Sequence, residues 1–109
     1  MIEKELVDLK LLSLAEIRRQ NPDSPAFRRY FMHGVGHPIG LDVHDVGLTT
    51  EPMQAGWVMT CEPAIYIREE GFAVRLENTI LIGENGVNTD LMDDIPIEVD
   101  ELEELMGRR

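Results

Sequence analysis

The chain holds a single cysteine, Cys61, so no internal disulfide can staple its 109 residues. Positive charge is scarce as well. Ten Lys and Arg stand against 21 Asp and Glu, a formal net charge of −11. That balance disfavours a nucleic-acid partner, and the one basic cluster, Arg18, Arg19, Arg28 and Arg29, reads as the solvated face of short helices. No apolar run is long enough to span a bilayer, and no signal-peptide pattern, internal repeat or low-complexity tract occurs in these residues. A cytoplasmic location without a membrane partner is the expectation. The length allows one domain at most, with a modest core.

Histidine is also scarce, and its placement is informative. All three histidines fall in the stretch His33-Gly34-Val35-Gly36-His37-Pro38-Ile39-Gly40-Leu41-Asp42-Val43-His44-Asp45. A helix would put His33 and His37 on one face, but the interspersed glycines and Pro38 argue against one. A loop that aims imidazoles at a ligand or proton is the functional reading, and a glycine-rich turn with surface histidines is the bland one. A metal site needs further ligands.

Two downstream carboxylates are candidates. Trp57 to Glu62 is a short β-rich run closed by Pro63, in which alternation puts Val58, Thr60 and Glu62 on one face and Trp57, Met59 and Cys61 on the other. Phe72 to Ile82 reads as one strand. Its apolar face carries Phe72, Val74, Leu76, Ile80 and Ile82, and Arg75, Glu77 and Thr79 share the opposite face with Ala73. A carboxylate in the middle of so apolar a strand is costly to bury unless it is paired or bound to a cation. A structural Arg75–Glu77 pair on a solvated face is the alternative. His37, Glu62 and Glu77 together form a mixed N/O set suited to Mn, Zn, Co or Fe. Cys61 faces away from the histidines, so a small buried thiol is expected rather than a nucleophile.

The remaining elements follow from periodicity and punctuation. Ile2 to Leu12 carries a helical stripe of Ile2, Leu6, Leu9 and Leu12 and reads as the tail of a longer helix. Ser13 and Glu16 have capping-box spacing for a second helix to Gln20. Asn21-Pro22-Asp23 is a break, and Ser24-Pro25 predicts an N-cap and first helical residue of one turn through Tyr30. Leu48 to Ala55 is an irregular connection. Ile65 to Ile67 is a strand whose hairpin partner is Phe72 to Ile82, joined by Glu69-Glu70-Gly71. Glu84-Asn85-Gly86 supplies the positive φ angles of a second hairpin turn, with Val87 to Leu91 returning as an edge strand. Ile97 to Met106 predicts a terminal helix with Val99, Leu102, Leu105 and Met106 inward and an acidic solvated face.

Three blocks in order carry a family resemblance. They are His33-Gly34-Val35-Gly36-His37 with Gly40-Leu41-Asp42-Val43-His44-Asp45-Val46-Gly47, then Glu62-Pro63 with Ile65-Tyr66-Ile67, then Val74-Arg75-Leu76-Glu77-Asn78-Thr79. From about Tyr30 to its end, the chain resembles the C-terminal catalytic half of aminopeptidase P and prolidase. These are proline-directed members of metallopeptidase family M24, with the creatinase/methionine aminopeptidase "pita-bread" fold. The resemblance implies an α+β domain, half of that fold, with a curved antiparallel sheet and flanking helices.

It also implies a dinuclear centre with five protein ligands. His37, Glu62 and Glu77 match metal ligands, Glu77 being the bridging carboxylate. His33 and His44 match histidines that orient substrate or shuttle protons, and Arg75 matches the arginine that holds the ligand network. Cys61, Ala64 and Asn78 are small departures; by alternation Cys61 and Asn78 point away from the site. The family's two aspartate ligands and a further active-site histidine have no counterpart here, since Asp8 lies in a helical pattern and Asp23 in a proline-flanked loop. The expectation is a fragment: residues 1–109 as the C-terminal part of a pita-bread metallopeptidase domain.

The implied activity of the parent is hydrolysis of the bond preceding proline, with two divalent ions (Mn, or else Zn or Co) activating water and polarising the scissile carbonyl. The implied substrate is a peptide with proline at its second position. Prolidase is one alternative and a metal-free pita-bread binding module another; members without metal usually lose the ligand side chains, and all three expected here are present. The implied partners are the missing N-terminal half and, through an uncovered sheet edge and apolar surface, a second copy of the chain, giving a homo-oligomer.

Overall fold

The computed structural model describes residues 2–47 and 50–107. Backbone contacts divide the chain into two compact units, one of Met1–Gly34 with Ala64–Val74 and one of Val35–Pro63 with Arg75–Arg109.

The first unit is built on short helices. Helix α1, Ile2–Asp8, ends where Lys10 takes a positive φ of 61°, and the turn returns the Leu11 and Leu12 amides to the Leu6 carbonyl. The expected helix to Leu12 therefore stops early, yet Leu12 is still buried with Leu6 and Phe31. Each such side chain contributes roughly 1.5–3 kcal/mol by leaving water.

Helix α2, Leu14–Arg19, begins with the predicted capping box. The Glu16 amide donates to Ser13 Oγ at 3.2 Å, and the Ser13 amide and hydroxyl both donate to Glu16 Oε2 at 2.8 Å. Those Ser13 donors, with the Arg29 guanidinium behind them, hold the Glu16 carboxyl below its ordinary pKa.

The next turn differs from expectation. Ala26–Arg29 is a 3-10 helix whose N-cap is Pro25 without a side-chain cap. Ser24 is held in a tight turn with Asn21, and the free Ala26 amide donates to Gln20 Oε1 at 2.7 Å instead. Strand β2, Ala64–Ile67, pairs with β3, Phe72–Arg75, across a turn in which Gly71 has a φ of 73°.

The second unit holds an antiparallel sheet in the order β1-β4-β5, from Val58–Cys61, Asn78–Leu81 and Thr89–Asp90. Its register pairs Met59 with Ile80 and Thr60 with Thr79. The single strand expected from Phe72 to Ile82 is thus two. β3 pairs with β2 and β4 with β1, and the segment changes partner at Leu76-Glu77, where the Leu76 amide donates to the Pro63 carbonyl. Unbroken alternation hid the break, because a change of partner leaves the period-two pattern intact. Phe72, Val74 and Leu76 are exposed.

Asn85 and Gly86 have the predicted positive φ angles, 55° and 77°, and the return strand shortens to Thr89–Asp90. Helix α3, Val99–Gly107, forms as expected, but Val99, Leu102, Leu105 and Met106 are exposed and the helix buries no residue. Of the expected irregular connection, Leu48 and Thr49 lie outside the described residues, and 50–55 carry no strand or helix. No helix among the described residues is long and apolar enough to cross a membrane.

Candidate metal centre

The histidine loop is irregular by sequence but docked by hydrogen bonds. Along the edge of β1 opposite β4, the Ile39 amide donates to the Val58 carbonyl, Thr60 to His37 and Glu62 to Val35, at 3.1, 2.9 and 2.7 Å. Residues 35–39 thus lie against β1 in strand-like fashion, with a bridge between Pro38 and Met59. Gly36 makes this approach feasible, since a Cβ there would run into the Thr60 carbonyl oxygen. Beyond it, Asp45 closes the loop: its carboxylate accepts from the Leu41 amide at 2.8 Å and the Val46 amide at 2.7 Å.

This docking sets the His37 ring. Its Nδ1 donates to the Pro38 carbonyl at 2.8 Å. A carbonyl can only accept, so Nδ1 carries the proton and Nε2 is left for another partner. Nε2 lies 3.4 Å from Glu62 Oε1, and both side chains are largely buried, at 19% and 13% exposure. Two lone-pair-bearing atoms at that separation are satisfied by a proton on Nε2 or by a shared cation.

Glu77, at the change of partner between β3 and β4, completes the group. One donor atom each from His37, Glu62 and Glu77 lie within 4.8 Å of one another. Arg75 spans the two carboxylates, with Nη1 3.7 Å from Glu62 Oε2 and Nε 3.4 Å from Glu77 Oε2. One guanidinium against two carboxylates leaves a net negative charge, so the donor set fits a hard or borderline divalent cation. The structural-pair reading of Arg75 and Glu77 also holds, since the pair exists at a half-exposed position; the two readings are not exclusive.

The other expected residues are distributed as follows. The His44 ring lies 4.2 Å from that of His37, tilted by 55°. His33 belongs to the first unit. Its Nδ1 donates to the Gly34 carbonyl at 2.7 Å, the Tyr66 hydroxyl donates to its Nε2 at 3.2 Å, and its ring lies 4.7 Å from that of Phe31. Cys61 is exposed rather than buried. It lines an open groove with Trp57, Met59, Ile80 and Ile82. Asn78 donates to Asp90 on the neighbouring strand.

Sequence reasoning passed over Thr60 and Tyr66. Thr60 is 6% exposed, and its hydroxyl lies 3.3 Å from Glu62 Oε1. The available signal was its place two residues before Glu62 on the same face.

Comparison with known proteins places the chain in a family. Residues 4–84 match metallopeptidase family M24. The chain is 41% identical over 97 residues to a Xaa-Pro aminopeptidase of Haemophilus influenzae, covering 78% of this chain and 22% of the relative. It superposes on a solved Bacillus anthracis structure assigned as an aminopeptidase P with a TM-score of 0.78 and 34% identity, over 96% of this chain and 23% of that one. Icp55 of Saccharomyces cerevisiae, solved with the inhibitor apstatin, gives a TM-score of 0.69 at 33% identity, over 98% of this chain and 27% of that one. The chain therefore spans about a fifth of the length of the curated relatives it matches. Its α+β architecture of antiparallel sheets with flanking helices is that of the pita-bread fold, and the chain belongs to metallopeptidase family M24.

Proposed function

We propose that residues 1–109 are the C-terminal part of the catalytic domain of a metal-dependent Xaa-Pro aminopeptidase, contributing His37, Glu62 and Glu77 as ligands to a dinuclear centre. The observation that carries this reading is the convergence of those donors within 4.8 Å, with the proton of His37 directed to the Pro38 carbonyl and away from Nε2. Divalent ions bound there, Mn2+ foremost and Zn2+ or Co2+ as alternatives, would polarise a scissile carbonyl and activate water. Glu77 would hold metal there together with His37 and Glu62, Arg75 would keep the two carboxylates in place, and His44, with His33 as the resemblance implies, would orient substrate or move protons. The remaining ligands come from sequence outside these residues. The substrate is a peptide with proline at its second position, in keeping with the names of the matched relatives.

The exposed apolar residues of β3 and α3 support association with the rest of such a domain or with a second copy of the chain, and a cytoplasmic location accords with the lone cysteine.

Titration of the chain with Mn2+, followed by the loss of the free-ion spin-resonance signal, tests the ligand set. Saturable binding abolished by His37→Ala or Glu62→Ala is expected. Binding indifferent to both changes refutes it. The chain alone is expected to hydrolyse no Xaa-Pro peptide, because three ligands do not complete a two-metal centre. Turnover that survives removal of trace full-length enzyme would show otherwise.

A further inference from the structure

Thr60 is the most buried polar side chain among the described residues, and the family reading gives it no task. Its hydroxyl oxygen accepts from the His37 amide at 2.9 Å. That leaves one proton to place, and two acceptors are in reach: Glu62 Oε1 at 3.3 Å and the His37 carbonyl at 3.4 Å. The carbonyl already accepts the Thr60 amide at 2.9 Å, whereas the carboxylate is charged and makes the stronger acceptor. The hydroxyl therefore donates to Glu62 Oε1. One buried hydroxyl thus touches the backbone of one donor residue and the carboxylate of another, residues 25 positions apart in sequence.

We propose that Thr60 is a positioning residue for the metal centre: its hydroxyl ties the His37 backbone to the Glu62 carboxylate, so that both donors are set before an ion arrives. The inference rests on the ligand set of the proposed function and adds a residue to it. Without the hydroxyl, Glu62 Oε1 loses one of the contacts that fix it, and the His37 amide loses its acceptor. Partners of this kind around metal ligands typically govern affinity by roughly 10- to 100-fold. The β1 side chain itself is not a donor, because its oxygen already engages two groups of the protein.

The experiment compares Mn2+ affinity of the full chain as wild type, Thr60→Ser, Thr60→Val and Thr60→Ala, with thermal unfolding of each in the metal-free form. Thr60→Ser keeps the hydroxyl and should bind within about threefold of wild type, while the two variants without a hydroxyl should bind about tenfold or more weakly. Metal-free unfolding separates positioning from general damage. A weakened affinity in Thr60→Ala or Thr60→Val at an unfolding temperature matched by Thr60→Ser supports the proposal. Equal affinity across all four chains, or a loss in Thr60→Ser as large as in Thr60→Ala, overturns it while leaving the ligand set standing. Absence of Mn2+ binding by the wild-type chain itself overturns the ligand set and the positioning role together.

Discussion

The ring of His44 rests 4.2 Å from the ring of His37, tilted by 55°, on the same loop that docks along β1. Of the two, only His37 shares the donor cluster with Glu62 and Glu77. His44→Ala is accordingly expected to leave Mn2+ affinity within about threefold while shifting the His37 ring resonances, whereas His37→Ala should cost more than about tenfold. A large affinity loss in His44→Ala would place that ring among the ligands.

Glu77→Ala and His33→Ala should separate in the same manner. Glu77 supplies a donor atom to the cluster; His33 is engaged by the Gly34 carbonyl and the Tyr66 hydroxyl. Elemental analysis of a longer protein carrying either change should find metal depleted in Glu77→Ala and near wild type in His33→Ala, with activity lowered in both. Equal metal content in the two variants would count against the assignment of Glu77.

Gly36→Ala should destabilise the second unit without touching any donor. A Cβ at this position meets the Thr60 backbone carbonyl, which is held between the loop and β4 and has little room to move. Overpacking of this kind costs about 1–3 kcal/mol. For a chain of this size that lowers the unfolding temperature by about 4–8 °C per kcal/mol, measurable by circular dichroism. An unchanged midpoint would mean that the loop is not packed against the strand.

Acid should weaken the first unit through Glu16. The Ser13 hydroxyl, the Ser13 amide and then Arg29 depress its pKa in the fold. A carboxyl with a lowered folded pKa adds stability that is present above its unfolded pKa and disappears as pH falls through the folded one. Glu16→Gln should therefore be less stable than wild type at about pH 7, with the gap narrowing as the pH is lowered from there to about pH 2. A gap that stays constant between those pH values would show that the charge of Glu16 contributes nothing.

Local chemistry was legible in the sequence wherever a residue type has one strong backbone consequence. Ser13 with Glu16 announced the capping box, and Asn85-Gly86 announced a turn with two positive φ angles; both are present. The face assignment of Thr60 with Glu62 held because side chains on a strand alternate. Burial was less legible. Cys61 and the apolar stripe of α3 are exposed, since an apolar face shows only that a residue can be covered and not what covers it.

The amino-acid sequence by itself determined which candidate donors the chain carries, His37, Glu62 and Glu77 among them, and the order in which it presents them, because residue identity and short-range periodicity are local properties. Tertiary structure alone decided that they meet. Residues 35–39 reach the edge of β1 through backbone hydrogen bonds that carry no side-chain signature, and the Phe72–Ile82 run changes partner at Leu76-Glu77 without disturbing its alternation. The role open to Thr60 arises in the same way. Its hydroxyl sits between His37 and Glu62 only once the loop and the strand are side by side, and pairing across 23 residues is a property of the folded backbone that no local pattern encodes.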